Sequence, residues 1–433
     1  MIPKMTAFPT LPILETLTEK INPKFFQKPF SPQKTIVIGV QHLVETTGSL
    51  IQAIIDLGIL PNNIFLLGKQ YSSNTEVKFN LSKIGVYVHN STLYHKSGNF
   101  MECIQGDITD LWKRASLQIK EIEAETVIII DDGGFCLSLI PSDICRRLNV
   151  VGIEQTTSGI QRKNLFGNFP IIQVASSAVK TIIEPYFICD AILKKMSDIN
   201  ELRPNLIYGI IGIGNIGKVL ANALLSRGFS TLVFDRLKSA MESFPKEIRC
   251  EKIDQIFCNS DSIIGCTGED LSKYGEWVDK ISGTKTLMSC SSSDTEFKGL
   301  LQSIETEKKH GNPYDNIIYK IPKKNVVLRI IRGGFPVNFD QSKESVPATN
   351  IQLTRGLLFS AFCQAIIDRD LFEGDRNIML NPFLQAIIVK KWIEKNKNVQ
   401  ICKKVTQNFE NIDFIINNSK GIYKKSYINS SFV

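Results

Sequence analysis

The pattern richest in chemistry is Gly212-Ile213-Gly214-Asn215-Ile216-Gly217. It follows an apolar run, Leu206–Ile211, and precedes a helical pattern from Val219 to Leu225. Strand, tight turn and helix in that order form the context a dinucleotide-binding loop needs. Gly212 permits the turn, Gly214 lets the backbone approach a pyrophosphate, and Gly217 lets the helix pack against the strand. The helix start at Asn215 and Ile216 supplies amide hydrogens and a positive dipole end to the phosphates. Asp235 ends the next strand, where an acid accepts hydrogen bonds from the adenosine ribose. A carboxylate there repels a 2′-phosphate, so the expected cofactor is NAD. Arg236 beside it keeps NADP from being excluded.

Further polar groups stand at strand ends upstream. Asp131-Asp132-Gly133-Gly134 follows Val127–Ile130, and ligands meet open α/β sheets at such ends. An Asp-Gly turn reads the dipeptide equally well. Glu154-Gln155-Thr156-Thr157-Ser158-Gly159 offers amide and hydroxyl groups, or simply a capped helix start. Lys180 and Glu184 share a helix face at i, i+4 spacing, which also suits a plain ion pair. Cys189 lies on the same helical stretch. His42 separates a strand from a helix, a place where a lone histidine is more often structural.

The elements positioning these groups alternate between short β-branched runs and amphipathic stretches. Strands are expected at Thr35–Val40, Asn63–Gly68, Ile84–His89, Thr126–Asp131, Val150–Glu154 and Ile171–Ala175. Helical patterns are clearest at Leu43–Leu57 and Met101–Ala124. A second run has strands at Leu206–Gly212, Ser230–Phe234, Ser262–Cys266, Lys285–Cys290 and Asn325–Ile331. Ser177–Asn200 reads as one long helix leading into it, and Leu353–Phe372 as a helix leading back. Glu305–Lys324 reads as a polar surface loop. The expected fold class is α/β, with two Rossmann-like parallel-sheet domains joined by long helices. The expected divisions are an N-terminal arm (1–33), a first part of a substrate domain (34–190), and an NAD-binding domain (191–350). A return to the substrate domain (351–395) and a divergent tail (396–433) complete the chain.

Composition narrows the class. With 43% hydrophobic and 22% charged residues the chain is an ordinary globular one. The formal charge is +8, and from Lys390 onward nine lysines face three acids. They lie among Asn, Ile and Ser rather than aromatics, so no nucleic-acid partner is expected. Ten cysteines include no CxxC pair, and only His42, His89, His95 and His310 are present, so neither a metal cluster nor a disulfide framework is expected. No apolar run approaches the roughly 18 residues of a membrane span. No signal peptide is visible, and free thiols suit a cytoplasmic setting.

In combination the motifs resemble the S-adenosylhomocysteine hydrolase family. The matching stretches are Gly39-Val40-Gln41-His42 with Thr47 and Leu50, then Asp131–Gly134, Gln155–Gly159, and Pro170 through Lys180 and Glu184 to Cys189. The glycine loop follows, then Cys266-Thr267-Gly268, Ser293–Glu296 and Val337-Asn338, within about residues 34 to 375. The resemblance implies a hydrolase of one-carbon metabolism in which bound NAD transiently oxidises the 3′ carbon of a nucleoside-like substrate, allowing elimination and hydration at the 5′ position. It places Lys180 at the 3′ hydroxyl, with Glu184 and Gln155 orienting the diol. His42 and Asp132 would move the 5′ proton, and Cys189 would lie near the nicotinamide. Thr156, Thr157, Ser158, Thr267, Gly268 and Asn338 would join the glycine loop in holding cofactor. It also implies a homo-oligomer.

Several positions depart from that family. Gln155 replaces a Glu, Glu184 an Asp, Pro185 an Asn, and Ser292 a His. Thr46 stands where the family reads adenine, and Asp340–Pro347 replaces a purine-side loop, with Val346 at the position of a His. The family's C-terminal Lys and Tyr are not recognisable in Ser426–Val433. The substrate pocket is therefore expected to be altered. Two other readings remain open. One is a catalytically degenerate NAD-binding regulatory protein. The other is a 2-hydroxy-acid-type dehydrogenase, a class that uses an Arg and a His/Glu pair in the cofactor half, where His310 lies in a polar loop unsuited to that role.

Overall fold

The computed structural model describes residues 7–25, 30–91, 100–162, 167–273, 280–304, 312–321, 324–372, 375–396 and 406–424. His95, His310 and Ser426–Val433 lie outside them. The chain forms two compact units. The first comprises Met1–Leu93, Met101–Glu184 and Gln341–Val433, and the second Tyr94–Phe100 and Pro185–Asp340. Both are Rossmann-like α/β units.

Strands are numbered along the chain. The first unit holds β1 (Thr35–Gln41), β2 (Ile64–Gly68), β3 (Tyr87–Val88), β4 (Thr126–Asp131), β5 (Asn149–Glu154) and β6 (Ile171–Gln173). The second holds β7 (Tyr208–Ile211), β8 (Thr231–Phe234), β9 (Ser262–Gly265), β10 (Gly283–Ser289), β11 (Ile317–Lys320) and β12 (Val326–Ile330). After it, β13 (Asn377–Met379) returns to the first unit.

The first sheet is parallel throughout, in the order β13-β6-β5-β4-β1-β2-β3. Every residue of β1 and β4 is buried, as unbroken apolar runs covered on both faces require. Gly39 is obligatory there, because an added Cβ would collide with the carbonyl of Ile130 on β4. The helix Ala348–Ile367 is buried almost all round, polar side chains such as Arg355 and Gln364 included. The N-terminal helix Pro12–Phe25 packs on it through fully buried Leu17 and Ile21 and their neighbours. The helical part of the expected arm thus packs into this unit's core.

In the second sheet the order is β11-β12-β10-β9-β7-β8, parallel except for β11. Leu220, Leu224 and Met288 belong to one apolar cluster of this unit. Ile256, Phe257 and Leu300 belong to another.

Four local expectations change. The stretch expected as one helix over Ser177–Asn200 is two, Ala178–Ile182 and Glu184–Asp198. Pro185 has no amide hydrogen to continue the first helix, so the chain restarts there. Of the polar segment Glu305–Lys324, residues 305–311 and 322–323 lie outside the described residues, and the rest contains β11, whose residues alternate between half-buried and exposed along the sheet edge. The strand expected at Ile84–His89 shrinks to Tyr87–Val88. The return helix starts earlier than Leu353 and ends at Ile367, followed by a tighter turn over Arg369–Phe372. Among the described residues no helix is long and apolar enough to cross a membrane.

Candidate active site and cofactor turn

Strand ends β1, β2, β4 and β5 bring a polar cluster together in the first unit. Three acids meet there, and two are consumed by backbone. Glu154 accepts hydrogen bonds from the amides of Gly133 (3.1 Å), Gly134 (2.8 Å) and Thr156 (2.8 Å) and from Thr156 Oγ1 (2.6 Å). Asp131 accepts from the amides of Asp132 (3.1 Å) and Leu137 (3.0 Å). These bonds fix the turn in which Gly133 and Gly134 take positive φ (107° and 70°). Burial pushes Asp131 up to about 6 and Glu154 up to about 8. Each acid therefore acts as a clamp.

Asp132 is the acid left facing side chains. Lys69 Nζ and Gln155 Nε2 both donate to its carboxylate, and His42 Nε2 lies 3.4 Å from Oδ2. Lys69 and Asp132 are each 1% exposed. Burial alone would raise the Asp132 carboxyl, but Lys69, His42 and Lys180 outweigh it and bring the group down to about 2. For Lys69, burial lowers the ammonium and Asp132 reverses that, leaving it raised. Burial drives His42 down to about 3, Asp132 opposes this, and Lys69, Arg355 and Lys180 add to it. His42 is thus neutral at neutral pH. A carboxylate can only accept, so Nε2 carries the hydrogen and Nδ1 accepts from Ser72 Oγ, 2.6 Å away. Ser72, His42 and Asp132 in line suggest a nucleophilic triad. Ser72 is 1% exposed, however, and its hydroxyl also lies 3.0 Å from the carbonyl of Lys69, so it serves to orient the imidazole.

Beside this group, Lys180 Nζ donates to Glu184 Oε1 (2.6 Å), which also accepts from Thr354 Oγ1 (2.6 Å). The two side chains of that ion pair are only 15% and 13% exposed. Arg355 donates through Nε to Thr46 Oγ1 (3.1 Å), and the amide of Thr46 donates to Glu344 Oε2 (3.0 Å). The two rewritten features, Thr46 and the segment Asp340–Pro347, therefore meet in one polar group with Arg355. Thr156 caps the helix Thr157–Gln161 by accepting from the amide of Gly159 (3.1 Å), while Ser158 donates to it (3.3 Å) and Thr157 is exposed.

In the second unit, Gly212 turns at φ 94° between β7 and the helix Asn215–Ser226. A Cβ on Gly217 would strike the carbonyl of Gly212, whereas one on Gly214 would meet nothing within 4 Å. One glycine is therefore required by packing, and the other leaves open space beside a helix start, as a pyrophosphate needs. Asp235 pins this turn, accepting from the amides of Ile213 (2.7 Å) and Leu237 (2.8 Å). Its carboxylate lone pairs are not exhausted by these bonds, so it can also receive ribose hydroxyls. Arg236 is paired with Glu269 (2.6 Å) at the surface. Thr267 and Gly268 border the turn, their amides held by Glu296 (2.6 Å each). Burial raises Glu296 to about 7. Asn338 is 7% exposed in the segment following β12. Cys189 is buried in the core with Ile213, and burial lifts its thiol to about 12, so it is an unreactive packing residue.

The turn, the open flank at Gly214 and the acid at Asp235 fit NAD. This unit is an NAD-binding Rossmann domain. Residues 207–293 match the family model for the NAD binding domain of 6-phosphogluconate dehydrogenase. Two curated relatives, each named an uncharacterized protein, come from Mycobacterium tuberculosis strains CDC 1551 / Oshkosh and ATCC 25618 / H37Rv. Each is 27% identical over 340 residues, covering 77% of this chain and 64% of the relative. The chain thus spans less than two thirds of those relatives. Among solved structures, an NAD-dependent formate dehydrogenase from Staphylococcus aureus is similar at 10% identity with a TM-score of 0.34, covering 73% of this chain and 93% of that one. A glyoxylate reductase from Paecilomyes thermophila is similar at 11% with a TM-score of 0.33, covering 77% and 95%.

These comparisons correct the assignment to S-adenosylhomocysteine hydrolase, and with it the hydrolase reading: the family model matched is that of a dehydrogenase's NAD binding domain. The physical reason lies in the motifs. Gly, Asp, Thr and Ser cluster at strand ends in many doubly wound sheets, because ligands and tight turns both need them there. The wiring also differs from what the resemblance implies, since Asp132 is bound by Lys69 and Gln155 together.

Lys69, Ser72, Glu344, Thr354 and Arg355 were not singled out from sequence. Two carried a signal. Lys69 directly follows the apolar strand Ile64–Gly68, and Arg355 directly precedes the apolar run Gly356–Phe359 of its helix.

Proposed function

We propose that the protein is an NAD-dependent oxidoreductase of the 2-hydroxy-acid dehydrogenase type, interconverting a hydroxyl and a carbonyl on a small polar substrate. Bound NAD supplies the two-electron hydride donor or acceptor. The carrying observation is the Lys180 ammonium, hydrogen-bonded to Glu184, within a strand-end cluster of a chain that has an NAD-binding domain.

In the reducing direction Lys180 gives a proton from Nζ to the carbonyl oxygen, and in the oxidising direction its amine takes that proton back. Glu184, held by Thr354, fixes the direction of Nζ. His42, uncharged, directs its one N–H from Nε2 to Asp132 and so braces that carboxylate at the edge of the cluster. Gln155 Oε1 is buried and has no hydrogen-bond partner among the described residues, so it can accept from a substrate hydroxyl. Asp132 and Ser72 hold the imidazole between them through its two ring nitrogens.

The test is nicotinamide absorbance with NADH and a panel of 2-oxo acids, and with NAD⁺ and the matching 2-hydroxy acids. Turnover is expected with at least one pair, and Lys180→Met should lower it by about 10²–10⁴-fold, the usual contribution of a general acid. Absence of turnover across the panel in protein that binds NAD would reject this reading and leave the regulatory one.

A further inference from the structure

Arg355 is 4% exposed, in the middle of a buried helix. Its hydrogen bond runs from Nε to Thr46 Oγ1, and among the described residues Nη1 and Nη2 make none. The other two cations of the cluster are committed: Lys69 to Asp132 and Lys180 to Glu184. Glu344 reaches Arg355 only electrostatically, its carboxylate being bonded to the amide of Thr46. A guanidinium held inside the fold with its planar outer edge open matches a two-oxygen acceptor.

We infer that Arg355 is the oxyanion receptor of this site: its outer nitrogens grip a carboxylate or phosphate carried by the substrate, with Thr46 fixing the guanidinium plane. The inference rests on the redox reading for the word substrate, but the recognition itself does not need turnover. Glu344 faces the same group from the segment that follows the NAD domain, so it selects against ligands with excess negative charge.

Calorimetric titration of the NAD-loaded full chain with oxalate, and separately with inorganic phosphate, tests this. Binding of at least one probe is expected, and the one that binds more tightly identifies carboxylate or phosphate as the source. Arg355→Met should weaken it by about 30-fold or more, as expected when one partner of a buried charge pair is truncated. Arg355→Lys keeps the charge but loses the two-pronged edge, so it should stay folded and still bind more weakly than the parent. Glu344→Gln should bind as tightly as the parent or more tightly. If neither probe binds the parent, or if Arg355→Lys and Arg355→Met bind like the parent, the receptor role is overturned. If Arg355-dependent oxalate binding persists while no hydroxy or oxo acid turns over, only the redox reading falls.

Discussion

At the corner where β4 and β5 end, three carboxyl groups lie within a few residues of one another, and their fates differ by partner. Asp131 and Glu154 hold backbone amides, while Asp132 holds Lys69. Lys69→Met should leave Asp132 charged, buried and unpaired, at a cost of about 3–5 kcal/mol. The double change Lys69→Met with Asp132→Asn should recover part of that loss in urea unfolding, since neither member of the pair is then charged. His42 gives a pH signature. Its folded value, about 3, lies below the ordinary 6.5, so the unfolded chain binds an extra proton between those values. Its contribution to stability is therefore complete above about pH 6.5 and is lost as pH falls toward 3. His42→Asn should flatten the stability profile across pH 4 to 6.5 relative to the parent. An unchanged slope would mean that the imidazole is charged in the folded state. Glu154 acts with the opposite sign. Raised to about 8, it costs stability as pH climbs from about 4.5 to 8, and Glu154 is present in both proteins, so the comparison cancels it.

At the scale of elements, the glycine turn separates two roles that sequence reading combines. Gly217→Ala places a methyl against the rigid carbonyl of Gly212, so the helix Asn215–Ser226 must shift. The expected result is a loss of about 1–3 kcal/mol in the cofactor-free protein together with weaker NAD binding. Gly214→Ala meets open space in the fold. It should leave cofactor-free stability nearly unchanged and weaken NAD binding, because the methyl occupies the room a pyrophosphate needs. Equal effects of the two substitutions on the melting curve would contradict this division. The break between Ala178–Ile182 and Glu184–Asp198 matters in the same way, since Glu184 belongs to one helix and Lys180 to the other. Their ion pair ties the two helices across the break at Ile183 rather than decorating one continuous helix face.

For the whole molecule, the cofactor turn belongs to one unit and the acid–base cluster to the other, so ligand effects should be separable. NAD at about 100 times its dissociation constant should add about 2.7 kcal/mol to the unit that binds it. Calorimetric melting should show that gain, and the Lys69→Met and Gly217→Ala lesions should act on different transitions if the units unfold independently. A single transition shifted alike by both would mean that the units unfold as one.

Sequence alone determined what depends on neighbours along the chain. The apolar runs of β1, β4 and β7, the glycine turn with its following helix, and the Asp235 strand end are all local, because backbone geometry and period-specific burial are set within a few residues. It left open which acid was free and which cations stood beside it. Those answers come from partners far apart: Lys69 and Asp132 are 63 residues apart, and Arg355 and Thr46 are 309 apart. Short strands such as β11 and β13 were missed for the same reason, since three or four residues carry too little periodicity and gain their bonds only from a sheet edge already formed. The family resemblance was misleading because it read chemical roles from strand-end residue types, and a side chain's role is fixed by what folding places against it.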